Sequence, residues 1–154
     1  MNTNEEHDRP TVELSLLVIR LVVGTIFAIH GAQKVFGVLD GPGLTAFVEG
    51  MEKGGTQKVV AYLVAIGECF GGLGLVIGFL SRFSALSLIV IMGGAIQMVH
   101  GKHGFFLKDG GFEYNLALIG LLVPIFLAGP GSISIGRLFL PRSALTGRPI
   151  VFLE

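Results

Sequence analysis

The chain has 154 residues and a formal net charge of zero, with 11 Lys and Arg against 11 Asp and Glu. Charged residues make up 14%, against roughly 25% in ordinary soluble domains, while hydrophobic residues reach 51% and mean hydropathy is +0.76. So few charges cannot cover a soluble surface, and the composition reads as a single integral membrane domain embedded in the lipid bilayer. It offers no basic footprint for nucleic acid, and with Cys69 as the lone cysteine there is no internal disulfide and no C-x-x-C pair.

Residues 1–13 are polar and acidic, with Glu5, Glu6, Asp8 and Glu13 against Arg9. This is not the basic leader of a signal peptide, and it predicts a cytoplasmic tail. Four apolar runs follow: Leu14 to Phe36, Val59 to Leu80 with the single charge Glu68, Phe83 to Val99 with none, and Tyr114 to Gly129. Spanning takes ~20 apolar residues; the first three runs meet this, and the fourth is short and carries Pro124. Ser81-Arg82 reads as a tight turn that makes the second and third helices antiparallel neighbours. In the long first loop, Leu44, Phe47, Val48 and Met51 fall on one face of a short helix that is expected at the interface. Gly104-Phe105-Phe106 suits a second interfacial contact, and residues 131–154 are expected along the cytoplasmic surface.

The expected fold is therefore all-α, an integral membrane four-helix bundle with a short amphipathic interfacial helix in its first loop. Its parts are a tail (1–13), a transmembrane domain (14–130) and a surface segment (131–154). Four spans place both termini on one side. That side carries Arg9, Arg20, Arg82, Arg137, Arg142 and Arg148, and the other carries Lys34, Lys53, Lys58, Lys102 and Lys108. The count favours cytoplasmic termini in the cell inner membrane.

Polar side chains inside a membrane are costly, so their positions carry information. His30 lies ~9 Å below the end of the first helix and Glu68 ~15 Å into the second, at 1.5 Å per residue. His30 and Lys34 are four apart on one helical face. Ala61, Ala65, Glu68 and Gly72 form a stripe of small residues where another helix can approach, which turns Glu68 inward. Gln97, His100 and His103 are spaced by three on the third helix. At the start of the fourth, Glu113 is expected inward and Asn115 near the N-cap, because a regular helix cannot turn both inward. His30, Lys34, Glu68, Gln97, His100 and Glu113 are thus the candidate binding residues, all in one half of the bundle. The residues alone leave open a ligand site and a structural cluster. No tight His motif supports a metal site. The glycines from Gly71 to Gly78 lie inside an apolar span with no strand before them, so they read as helix-packing positions rather than a dinucleotide loop.

The run from Arg20-Leu21 through Gly24, Phe27, His30-Gly31 and Lys34 to Phe36-Gly37 resembles the opening signature of the DoxX family. So do Glu68, Gly71-Gly72, Leu75, Gly78 and Ser81-Arg82, then Glu113-Tyr114-Asn115 and Gly129-Pro130-Gly131-Ser132-Ile133-Ser134. One departure is Ile135-Gly136, where the family pattern carries an Asp, so no role for that acid is carried over. The resemblance implies a four-helix membrane protein of quinone-linked chemistry, similar to the membrane subunit of thiosulfate:quinone oxidoreductase. The reading is a membrane subunit of a redox or respiratory assembly, with a quinone head group near His30, Lys34, Glu68 and His100. His and a partly buried Glu can exchange protons with the carbonyl oxygens of such a ring. The sequence carries no haem pair, flavin loop or Fe–S motif, so electrons have to come from a membrane or peripheral redox partner. The alternatives are a structural accessory subunit and a small-solute binding or transport protein, the latter requiring an oligomer. Catalytic residues are not assigned.

Overall fold

The computed structural model describes residues 3–136. The arginines of residues 137–154, with most of the expected surface segment, lie outside them. The elements are α1 (Thr3–Phe36), α2 (Gly43–Lys53), α3 (Lys58–Ile77), α4 (Ser81–Ala95) and α5 (Glu113–Ala128). A π turn (Ile96–His100) and a 3₁₀ turn (Gly101–His103) continue α4. No strand occurs among the described residues. The protein is an all-α membrane protein. Pro10–Phe36, Lys58–Ile77 and Ser81–His103 are each long and apolar enough to cross a bilayer, and Glu113–Ala128 is a shorter apolar helix.

The four long helices form a ring in which α1 packs on α3, α3 on α4, α4 on α5 and α5 on α1. Val23 and Phe27 of α1, Leu75 of α3, Leu88 of α4 and Leu122 and Ile125 of α5 meet in the centre. The outward faces are equally apolar, with Leu63, Phe83 and Val90 exposed. Such a surface is stable only against lipid, because water would have to solvate it. The small-residue stripe of α3 faces inward as its pattern required: Ala61 and Ala65 are fully buried and Glu68 is 3% exposed.

The α1–α3 crossing is closer than side chains normally permit. A Cβ on Gly72 would meet the backbone of Phe27, Ala28 and Gly24, and one on Gly31 would overlap the backbone of Cys69. Gly67 and Gly71 face Ile91 and Leu88 of α4. Gly78 does not pack against another helix; at φ +74° it is the left-handed residue that ends α3, and a Cβ there would meet Ser134 and the Arg20 guanidinium. The tight turn is Gly78-Phe79-Leu80, one step before the position expected from the sequence, and Ser81 and Arg82 already belong to α4. Leu80, at φ 48°, supplies a left-handed step that its residue type does not announce.

α2 forms over the segment expected to be amphipathic. Val48 is buried, Leu44, Phe47 and Met51 are half-buried, and α2 packs across α3 and α1. We call this end of the bundle the α2 end. The opposite end is closed by the segment after α5. There the buried Arg20 donates through Nη1 to Pro130 O and through Nη2 to Ile133 O, the latter at 2.6 Å. Arg82 Nη2 donates to Leu127 O at 3.0 Å, near the last turn of α5, where cations offset the helix dipole. The backbone NH of Ser132 donates to Glu13. Removing Arg20 leaves two carbonyls without their charged donor. Arg20→Met is expected to cost about 2–3 kcal/mol and to speed amide exchange in residues 129–136. Unchanged exchange there would show that the segment is held by something else.

Candidate functional site

α1 and α3 bring Lys34 and Glu68 together at the α2 end. Lys34 lies one turn beyond Gly31, and Glu68 one residue before Cys69, so the glycine contact sets their approach. The Lys34 ammonium forms a direct ion pair with Glu68 Oε2. The Glu68 side chain is 4% exposed and that of Lys34 is 22% exposed. The ammonium also lies 5.4 Å from the ring centre of Phe47 on α2, within cation–π range. Hence one cation links α1, α2 and α3.

This pair borders two cavities. The first, of about 230 Å³, lies among α1, α3, α4, α5 and the loop that follows the π turn. Its polar lining is His30, Lys34, Glu68, His100, Tyr114 and Asn115, and its apolar lining includes Phe27, Met92 and Leu118. The second, of about 500 Å³, lies between α3 and α4 beneath α2. Lys34, Glu68, Ala95 and His100 line both.

Both histidines are anchored through one nitrogen. His30 Nδ1 is 2.9 Å from Ile26 O, and His100 Nδ1 is 2.8 Å from Gly110 O. A carbonyl only accepts, so each Nδ1 carries the proton. Each neutral ring therefore presents an unprotonated Nε2. Asn115 Nδ2 points to Met92 Sδ at 3.4 Å, a weak acceptor that leaves the amide with hydrogen-bonding capacity to spare.

Of the six residues expected from the sequence, His30, Lys34, Glu68 and His100 line the first cavity. Gln97 and Glu113 do not. Gln97 is exposed, because the helix leaves α geometry at Ile96. In a π turn the bond runs from i to i+5, so Ala95 and His100 share a face and Gln97 turns away. Glu113 opens α5 at its N-terminus, half-buried, with its NH donated to Phe105 O. Its charge suits the positive end of the helix dipole. Asn115 is not a cap but the third residue of α5, buried and turned inward. The roles expected for Glu113 and Asn115 are thus exchanged. Tyr114 and Phe47 were not anticipated as site residues: Tyr114, second in α5, had no depth signal to mark it, and Phe47 was read only as part of the apolar face of α2. Among the described residues no three His, Cys, Asp or Glu side chains group closely enough to hold a metal ion.

The loop that roofs the cavity is built on aromatic contacts. Phe105 meets Phe106 and Phe112 edge to face, each at 5.5 Å. The NH of Phe112 bonds Gly104 O at 3.1 Å and that of Gly111 bonds Phe106 O at 2.9 Å. Phe105 and Phe106 stay exposed, as interfacial aromatics do.

Similar proteins occur in several bacteria. The chain is 29% identical over 120 residues to "Putative oxidoreductase CatD" of Bacillus subtilis, covering 78% of this chain and 81% of that one. It is 28% identical over 126 residues to "Inner membrane protein YqjF" of Escherichia coli, covering 82% and 92%. An uncharacterized protein of Haemophilus influenzae is 33% identical over 64 residues, 42% of each chain. No solved structure matches. The DoxX family profile matches residues 15–101, which include α1 from Ser15 onward, all of α2, α3 and α4, and the π turn. The chain belongs to the DoxX family.

Proposed function

We propose that the protein is the membrane subunit of a quinone-linked redox assembly in the bacterial inner membrane, with both termini cytoplasmic and a quinone head group bound in the first cavity. The observation that carries this reading is the buried Lys34–Glu68 pair at the edge of a largely apolar cavity, flanked by two histidines with free Nε2 atoms. The name of the Bacillus subtilis relative, an oxidoreductase, points in the same direction.

The donor set fits such a ring. A bound quinone supplies a site that takes up two electrons and two protons at its oxygens. Lys34 and the Asn115 amide can donate hydrogen bonds to those oxygens. The His30 and His100 Nε2 atoms accept protons when the oxygens are hydroxyls, and donate when the imidazoles are charged. Phe27, Met92 and Leu118 give the site apolar walls, and the lower local dielectric strengthens these contacts. Electrons reach the site from a partner protein.

The test is to purify the protein from its membrane, extract it with solvent and quantify quinone. A roughly equimolar amount is expected at high affinity, with a clear loss in His30→Ala. Protein that carries no quinone and takes up none when it is added would refute the reading. A second reading, a structural subunit whose Lys34–Glu68 pair only ties α1 to α3, is favoured by the direct contact of the two side chains.

A further inference from the structure

The first cavity, at about 230 Å³, is smaller than the roughly 300–1,000 Å³ typical of ligand sites. It can hold a ring but not a ring with a long chain. The second cavity begins where the first ends, since Lys34, Glu68, Ala95 and His100 stand in the walls of both. Beyond those residues its walls are apolar: Leu63 and Val64 of α3, Val90 and Ile91 of α4, and Met98. Leu63, Val90 and Met98 are exposed on the outer face of the bundle, so the groove opens sideways toward lipid. It runs along α3 from Val60 to Glu68, ~12 Å at 1.5 Å per residue. Gly94 lies in its wall, and a Cβ placed there meets nothing within 4 Å.

Resting on the quinone reading, we propose that the groove between α3 and α4 receives the hydrocarbon tail of the ligand whose head lies at Lys34 and Glu68. The ligand class is then a membrane amphiphile, a ring with a long alkyl or prenyl chain, that enters laterally from the bilayer. Lipid is as apolar as the groove, so the tail gains no hydrophobic energy there. What the groove provides is a path. The ring can reach a buried ion pair while its chain never crosses water and displaces no packed side chain. The continuity of the two cavities at their charged end selects this occupant over an unrelated lipid chain, whose own head group would stay at the membrane surface.

The test uses the full chain in nanodiscs and two probes, the tail-less dimethoxy-methyl benzoquinone and its decyl-tailed analogue. Gly94→Leu fills the groove, and the open space at its Cβ lets the helix accept it. Gly93→Leu is the control, exposed, equally unobstructed and absent from the groove wall. Gly94→Leu is expected to weaken the tailed probe at least about tenfold, a steric cost at the low end of overpacking, while tail-less binding stays within about twofold. Gly93→Leu should change neither. If wild-type protein binds both probes and Gly94→Leu weakens both or neither, the tail assignment is wrong and the head-group site stands. If wild-type protein binds neither probe, the quinone reading itself falls, and this inference with it. If Gly94→Leu changes neither probe but displaces a phospholipid that copurifies with the wild-type protein, the groove is a lipid site instead.

Discussion

Lys34→Ala is expected to destabilise the protein by about 3–5 kcal/mol, the range for a buried ion pair that loses one member. The lower end applies, because the Lys34 side chain keeps 22% exposure and water can partly reach its place. Most of the loss comes from Glu68, left as an uncompensated charge ~15 Å inside α3. Glu68→Ala should cost less, since the ammonium left behind is partly solvated and still faces Phe47. The double variant Lys34→Met with Glu68→Leu is the informative one. Replacing both charges by apolar groups of similar volume is often neutral or stabilising, so its thermal stability in detergent should return near that of wild type. Quinone retention should not return with it. Regained stability without bound quinone assigns the pair to ligand binding. A double variant that is stable and retains its quinone leaves the pair as a structural tie, the second reading above. A double variant whose loss equals the sum of the Lys34→Met and Glu68→Leu losses would mean that the two side chains are not energetically coupled.

The parts of this site that follow helical periodicity were legible in the sequence. His30 and Lys34 share a face because α1 is helical through both, and both line the cavity. Glu68 was placed by its neighbours, since Ala61, Ala65 and Gly72 mark the face that another helix approaches. The amphipathic α2 was legible for the same reason. The misplacements fall where a regular helix changes its repeat or begins. At Ile96 the helix widens to a π turn, and this rotates Gln97 out of the face that its spacing from His100 suggested. Nothing in Ile96-Gln97-Met98-Val99-His100 announces a π turn, because it is fixed by tertiary contacts such as His100 to Gly110 O. Asn115 was misplaced by the starting point of α5: with helix from Glu113, it stands one turn further in than a cap. The Arg20 contacts to Pro130 and Ile133 span more than a hundred residues of sequence and have no periodic signature at all. A lone buried Arg in an apolar run was the one visible sign that something had to receive it.

Gly31→Ala should be among the most damaging single-methyl changes in this chain. The added Cβ would overlap Cys69 N and Cα, which are backbone atoms and cannot move aside without moving α3. Overpacking costs typically ~1–3 kcal/mol where side chains can adjust; a backbone collision with no side chain to yield should exceed about 3 kcal/mol. The helices would relieve it by separating, and Lys34, one turn further along, would lose its reach to Glu68. Stability and quinone retention should therefore fall together. Trimming the neighbour does not help: Cys69→Gly removes only the side chain, so the pair Gly31→Ala with Cys69→Gly should remain nearly as unstable as Gly31→Ala. By contrast, Gly93→Ala on α4 meets nothing within 4 Å, so helix propensity alone should leave it neutral or slightly stabilised. Thermal unfolding of the three variants in one detergent checks the order. If Gly31→Ala unfolds with wild type, the α1–α3 separation is not set at this crossing, and the approach of Lys34 to Glu68 needs a different cause.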